Sequence, residues 1–287
     1  MRILVAPDKF KDSLGAREVA DSIAAGLRDA LPDATIEIVP VADGGEGTAN
    51  VIGEACAGEW VVCDSHDALG RAITARYVWL RDRRMAVMEM SEAAGGWRIA
   101  PRERDPLRAN TFGVGEMLRD AAARGAKGII IGLGGSVTND GGFGMARALG
   151  FRFLNSNSVE LSGPVSDLAD LGQILRPRDL FLPNVIGAAD VKNPLLGARG
   201  AMRTFGPQKG AGPDQLEVLE ETLARLADVV ARDLGCDFRE AAGAGAAGGL
   251  GFGLMSFCRA TIRPGFNLVA EMLDLEAAIE RADVVIT

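Results

Sequence analysis

The chain carries one histidine, His66, in 287 residues, and that scarcity removes whole classes of chemistry. Any Ser-His-Asp or Cys-His apparatus would depend on this single ring. His66 sits in Asp64-Ser-His-Asp-Ala68, outside every glycine cluster, where a surface loop is the expectation. The G-x-S-x-G nucleophile elbow is absent as well. Cysteine is sparse: Cys56, Cys63, Cys236 and Cys258 lie far apart with no C-x-x-C pair, which reads as scattered thiols in a reducing compartment rather than a zinc site. An excess of positive charge is also missing. The formal net charge is −8, so there is no electrostatic footprint for nucleic acid. No apolar run approaches the ~20 residues needed to cross a bilayer. The opening Met1-Arg-Ile-Leu-Val-Ala-Pro7 reads as a first strand, its apolar run being too short for a signal peptide. A cytoplasmic protein is expected, with no nucleic-acid or membrane partner; a homo-oligomer is compatible with the sequence.

What is present is glycine: 37 residues, clustered rather than periodic. Clustering of this kind excludes collagen and marks loops where backbone must approach something closely. With 48% apolar and 24% charged residues the chain can bury an ordinary core, and its length allows two modest domains or one large one. An anionic substrate of so acidic a protein must be held by local cations or by backbone N–H groups.

Along the chain, residues 2–6 read as a buried strand. A helix follows, with Val19, Ile23, Leu27 and Leu31 on one face, Ser13 as a plausible N-cap and Pro32 as its stop. Residues 35–39 form the next strand, and a glycine loop at 42–47 opens a second helix at Thr48. This β-α-β-α start predicts a parallel sheet with crossover helices. The pattern then changes. Apolar runs at 60–63, 75–80 and 85–90 follow without helices between them, with a hairpin turn at 81–84, so a mixed-sheet insertion and a boundary near 65 are expected. Further on, helices are predicted at 113–123, 145–149 and 215–234, and strands at 128–131, 185–188 and 282–287.

Six segments could carry chemistry. Asp8, Lys9 and Lys11 occupy a strand–loop–helix junction, either an anion site or a polar loop. Asp43 and Glu46, set among Gly44, Gly45 and Gly47, make either a turn that suits a hard cation or hydroxyl, or a tight turn capped by Thr48. Residues 132–142 hold five glycines toward their two ends together with Ser136, Thr138, Asn139 and Asp140. Such a loop lets backbone amides close round phosphate oxygens at a helix start, although it matches neither the Walker A pattern nor G-x-G-x-x-G. Asp190 ends an apolar strand beside Lys192 and Asn193, as a metal ligand, a general base or a turn residue. Lys209 lies in a glycine-proline turn, and the glycines of 243–251 allow close packing or a second anion loop, packing being preferred. Carboxylates, lysines and glycine loops are the set that phosphoryl transfer uses.

Taken together, the segments 6–14, 41–48, 111–116, 131–142, 190–195, 205–211 and 243–249 resemble the glycerate kinase family, in order and along almost the whole chain. The resemblance implies ATP-dependent phosphorylation of D-glycerate, usually to 2-phosphoglycerate, with Mg²⁺. It also implies an α/β fold of two domains with the active site in the cleft between them. On that reading residues 1–65 plus 280–287 form a discontinuous parallel-sheet domain and 66–279 an inserted mixed-sheet one. The family continues past the strand at 283–287 with an acidic glycine turn and roughly a further quarter of its length, so a non-catalytic nucleotide- or sugar-acid-binding protein is the alternative. A nicotinamide-dependent oxidoreductase is disfavoured by the missing G-x-G-x-x-G. The expected catalytic residues are Asp190, Lys9, Lys11 and Asp8. Substrate or nucleotide is expected on Ser13, Gly44, Gly45, Gly134, Gly135, Ser136, Thr138, Asn139, Asn193 and Lys209. Asp43, Glu46 and Asp140 are the expected metal ligands, while Lys209 or Arg263 would meet the substrate carboxylate.

Overall fold

The computed structural model describes residues 1–10 and 13–287. Eleven strands are seen among them: β1 (Arg2–Val5), β2 (Thr35–Ile38), β3 (Glu59–His66), β4 (Ala72–Leu80), β5 (Met85–Glu89), β6 (Gly128–Gly132), β7 (Arg152–Asn155), β8 (Leu171–Leu175), β9 (Asn184–Ala188), β10 (Thr261–Arg263) and β11 (Val284–Ile286). The α-helices are α1 (Ala16–Ala30), α2 (Thr48–Ala55), α3 (Ser91–Ala94), α4 (Phe112–Ala123), α5 (Phe143–Ala148), α6 (Ala201–Phe205), α7 (Pro213–Leu234), α8 (Ala246–Cys258), α9 (Gly265–Met272) and α10 (Leu275–Glu280).

Two sheets organise the chain. The first has order β11-β1-β2 and is wholly parallel, with Ile3 opposite both Val284 and Ile36. Strands near both ends of the described chain therefore pair in one sheet. α1 covers one face through Ala20, Ile23 and Leu27, and α10 covers the other through Leu275 and Ala278. The second sheet has order β10-β9-β6-β5-β4-β3. Its β5, β6, β9 and β10 run parallel, while β4 and β3 run antiparallel as a meander, as their close spacing in the sequence predicts. β7 and β8 form a separate hairpin.

In the second sheet, Ile129 and Ile131 of β6 face the large core holding Phe143, Leu226 and Phe252, while Ile130 faces α2 and α9. A strand buried on both faces needs a continuous apolar run, which is what 129–131 supply. Each such side chain contributes about 1.5–3 kcal/mol through burial. The change of sheet comes earlier than the expected boundary at 65. β3 begins at Glu59 and is already the edge of the second sheet, and α2 packs on that sheet as well. His66 is not a loop residue: it ends β3, and its Nδ1 lies 3.0 Å from a Glu116 carboxylate oxygen.

Candidate active site

Three backbone segments press together at the carboxyl ends of β6 and β9, where ligands of open α/β sheets bind. Gly44 has φ +89°, and a Cβ there would lie 2.5 Å from the Gly265 Cα. A Cβ on Gly134 would come within 2.7 Å of the Gly45 Cα. Only glycine allows such approaches, so the 43–48 loop and the start of the 132–142 loop touch through bare backbone. The Asp43 carboxylate accepts the Gly45 N–H at 2.9 Å and tightens the turn. From the first sheet, the Lys9 ammonium donates to the Glu46 carbonyl at 2.5 Å and lies 4.0 Å from Asp43. Asp8 accepts the Lys9 N–H at 2.6 Å.

On one side of this contact is a cavity of about 260 Å³, walled by Asp43, Gly44, Gly45, Gly134, Gly135, Ser136, Asp190 and Lys209. Asp190 accepts the N–H of Gly265 at 2.8 Å. That amide belongs to the first residue of α9, whose positive end favours a carboxylate. Lys209 is buried, and its ammonium donates to the Thr138 carbonyl at 2.7 Å. Burial pulls its pKa down to about 7, against the opposing pull of the Asp140 charge. An anion entering the cavity would return the full positive charge to this side chain.

On the other side lies a larger cavity of about 630 Å³, bordered by Asp8, Lys9, Glu46, Arg76, Glu89 and Trp97 among others. Glu89 accepts the N–H of Gly47 at 3.0 Å and of Ala49 at 2.9 Å, which caps the start of α2 from across the sheet. The alternative reading, in which Thr48 caps that helix, does not hold: Gly47 is the N-cap, and the Thr48 hydroxyl is buried without a partner among the described residues. Glu89 was missed in the sequence because it lies inside the apolar run 85–90; its being the one acid in that run was the available signal.

Several expected site residues have other surroundings. Asp140 is fully buried, and its oxygens accept the Thr111 N–H and hydroxyl, both at 2.8 Å, the Gly144 N–H at 2.9 Å and the Gly142 N–H at 3.2 Å. Burial pushes its pKa up against those hydrogen bonds. With no route to solvent it is a structural clasp between the 132–142 loop and α4, not a metal ligand. Thr138 and Asn139 are buried and border neither cavity. Asn193 donates to the Arg199 carbonyl at 2.7 Å and also borders neither. Ser13 is exposed, and Gly15, not Ser13, is the N-cap of α1. Arg263 is paired with Glu271. Lys11 lies outside the described residues. The glycines of 243–251 serve packing, as preferred: a Cβ on Gly248 would lie 1.9 Å from the Thr138 carbonyl oxygen.

The sequence pattern of the Glycerate kinase family matches residues 3–287. A glycerate kinase of Bacillus subtilis is 42% identical, with 100% of this chain and 76% of that protein covered. A protein of Escherichia coli named glycerate 2-kinase is 40% identical over the same shares, 100% and 76%. A crystal structure described as glycerate kinase 2 from Salmonella typhimurium superposes with a TM-score of 0.90 at 43% identity, covering 99% of this chain and 77% of that one. The fold and its relatives are those of a small-molecule kinase. The chain belongs to the glycerate kinase family.

Proposed function

We propose that the chain transfers the γ-phosphoryl group of ATP to the 2-hydroxyl of D-glycerate, releasing ADP and 2-phosphoglycerate. The observation that carries this reading is the convergence of Asp43, Gly45, Gly134, Ser136, Asp190 and Lys209 on one cavity. Phosphoryl transfer asks for positioning and for charge aimed at the phosphate oxygens, rather than for covalent chemistry by the protein. The bare backbone of Gly134 and Gly135 and the Lys209 ammonium supply both for the nucleotide phosphates. Lys9, held between Glu46 and Asp43, offers a second cation on the side of the larger cavity, where glycerate would enter. The regiochemistry follows the name of the Escherichia coli relative, glycerate 2-kinase.

The residues also fit a Mg²⁺ ion. Asp43 and Asp190 border the same cavity, each with one oxygen in a backbone hydrogen bond and the other without a partner among the described residues. No group of three or more His, Cys, Asp or Glu side chains clusters round a common point among those residues. That suits an ion held by one or two carboxylates together with phosphate oxygens. When bound, it would neutralise charge on those oxygens. A cytoplasmic setting goes with this reading, and among the described residues no helix is long and apolar enough to cross a membrane.

The test is ADP release, followed by a coupled assay with D-glycerate, and phosphorus NMR of the product. A 2-phosphate couples to one carbon-bound proton and a 3-phosphate to two, so a doublet is expected. A triplet would overturn the regiochemistry, and absence of ADP would overturn the activity.

A further inference from the structure

Glu89 is the last residue of β5 and pairs in register with Gly132, the last residue of β6. Neighbouring strands stand about 4.8 Å apart, so the Glu89 carboxylate rises beside the start of the 132–142 loop. Its Oε1 is fixed by the amides of Gly47 and Ala49 at 3.0 and 2.9 Å. Its Oε2 takes no hydrogen bond among the described residues and is not among the polar atoms sealed from solvent without a partner. Since Glu89 borders the 630 Å³ cavity, this second oxygen opens into it. One carboxylate is thus both oriented by the backbone and free to act, on the wall of the larger cavity.

We propose that Glu89 is the catalytic general base. This rests on the phosphotransfer reading given above. Oε2 takes the proton of the glycerate hydroxyl while that oxygen forms its bond to the γ-phosphorus. The bond from the γ-phosphorus to the bridging oxygen breaks, and its electron pair leaves on ADP. The proton passes from Glu89 to solvent after product release.

The charged surroundings agree with the role. Asp8 and Lys9 from the loop after β1, Arg17 and Glu18 on α1, and Glu46 on the 43–48 loop share the cavity. Glu54 on α2, Arg76 on β4 and Glu92 on α3 complete its charged wall. Arg17 is drawn to Asp21 at 3.0 Å and Arg76 to Glu92 at 3.2 Å, so neither is committed to Glu89. Burial raises the Glu89 pKa to about 7, with the two amide hydrogen bonds pulling it back and Glu92 and Glu46 adding to the rise. A base is best matched to neutral pH when its pKa lies there. The active carboxylate is present above that value and lost as pH falls through it, so kcat/KM rises with pH to a plateau.

Glu89→Gln separates a base from a helix cap, because the amide keeps an oxygen for Gly47 and Ala49 and cannot take a proton. The expected result is a kcat lower by about 10²–10⁴-fold, with the acidic limb of the pH profile gone. KM for D-glycerate and the thermal stabilisation by ADP should stay within about twofold. A Gln variant that turns over within about threefold of wild type, or that keeps the same acidic limb, overturns the proposal. Wild-type protein inert toward D-glycerate overturns the phosphotransfer reading and this proposal with it; an active wild type beside an unchanged Gln variant overturns the proposal alone.

Discussion

Asp190, two residues past the end of β9, accepts the N–H of Gly265 at 2.8 Å, and this one bond ties the 260 Å³ cavity to the first turn of α9. The same α9 packs through Leu268 and Val269 beneath β5 and β6. The carboxylate is therefore held by an element that is itself anchored in the core, which is what a preorganised site requires.

Replacing Asp190 separates this anchoring from its charge. Asp190→Asn keeps an acceptor for Gly265, so its melting temperature should stay within a few degrees, on the order of 1 kcal/mol or less. Its kcat should fall by about 100-fold or more, because the carboxylate that would hold Mg²⁺ in this cavity is gone. Asp190→Ala should lose turnover to the same extent and stability by about 1 kcal/mol in addition. ADP release and thermal melts of both variants read the two effects apart; unchanged turnover in Asn would remove the carboxylate from the mechanism.

The backbone contact between the loops gives a second outcome. Gly134→Ala must displace Gly45, since the new Cβ would lie 2.7 Å from its Cα. Overpacking of this kind costs about 1–3 kcal/mol, and here it also moves the Asp43 turn away from the phosphates. Gly47→Ala meets no atom within 4 Å but must hold φ at +94°, so it pays backbone strain alone, about 1 kcal/mol. Steady-state kinetics should therefore show a raised nucleotide KM in the first variant and a near-normal one in the second, despite similar losses in denaturant midpoint.

Much of this architecture is readable from residue order because parallel strands buried on both faces need unbroken apolar runs, and β1, β5, β6 and β9 have them. The β7–β8 hairpin and β10 escaped: they are three to five residues long and exist through tertiary pairing rather than local pattern. The glycine loops were legible for a physical reason, since close backbone approach leaves glycine no substitute. Asp140 and Glu89 were not. A sequence shows that a carboxylate is present but not what surrounds it. Asp140 lies in the most suggestive loop yet faces inward to Thr111, whereas Glu89 lies in an apolar strand yet opens one oxygen to the cavity.

The Asp140 clasp predicts a loss of stability in place of a loss of metal affinity. Asp140→Asn keeps one oxygen for Thr111 and Gly144, which both point at Oδ2, and must then turn its NH₂ toward the Gly142 amide, a donor that finds no acceptor. Leaving a buried donor unpaired costs about 1–3 kcal/mol. Urea unfolding should show a lower midpoint, while the Mg²⁺ concentration giving half-maximal rate stays that of wild type. A shift in Mg²⁺ dependence at unchanged stability would return Asp140 to the list of ligands.

Lys209 gives the pH dependence of folding a definite sign. Its ammonium titrates at about 7 in the folded chain, against an ordinary lysine value of 10.5. Between those values the unfolded chain holds a proton that the folded chain has released, so this residue makes stability rise with pH from 7 upward. Below about 7 both states are protonated and the full cost of burying the charge is present. Lys209→Met removes the titrating group and keeps an apolar stem of similar length. The stability of wild type relative to this variant, from urea midpoints at pH 7 and pH 9.5, should therefore increase with pH. A difference that is flat across that interval would mean that the ammonium is solvated in the folded chain, and the 260 Å³ cavity would then lack the switchable charge that an arriving phosphate restores.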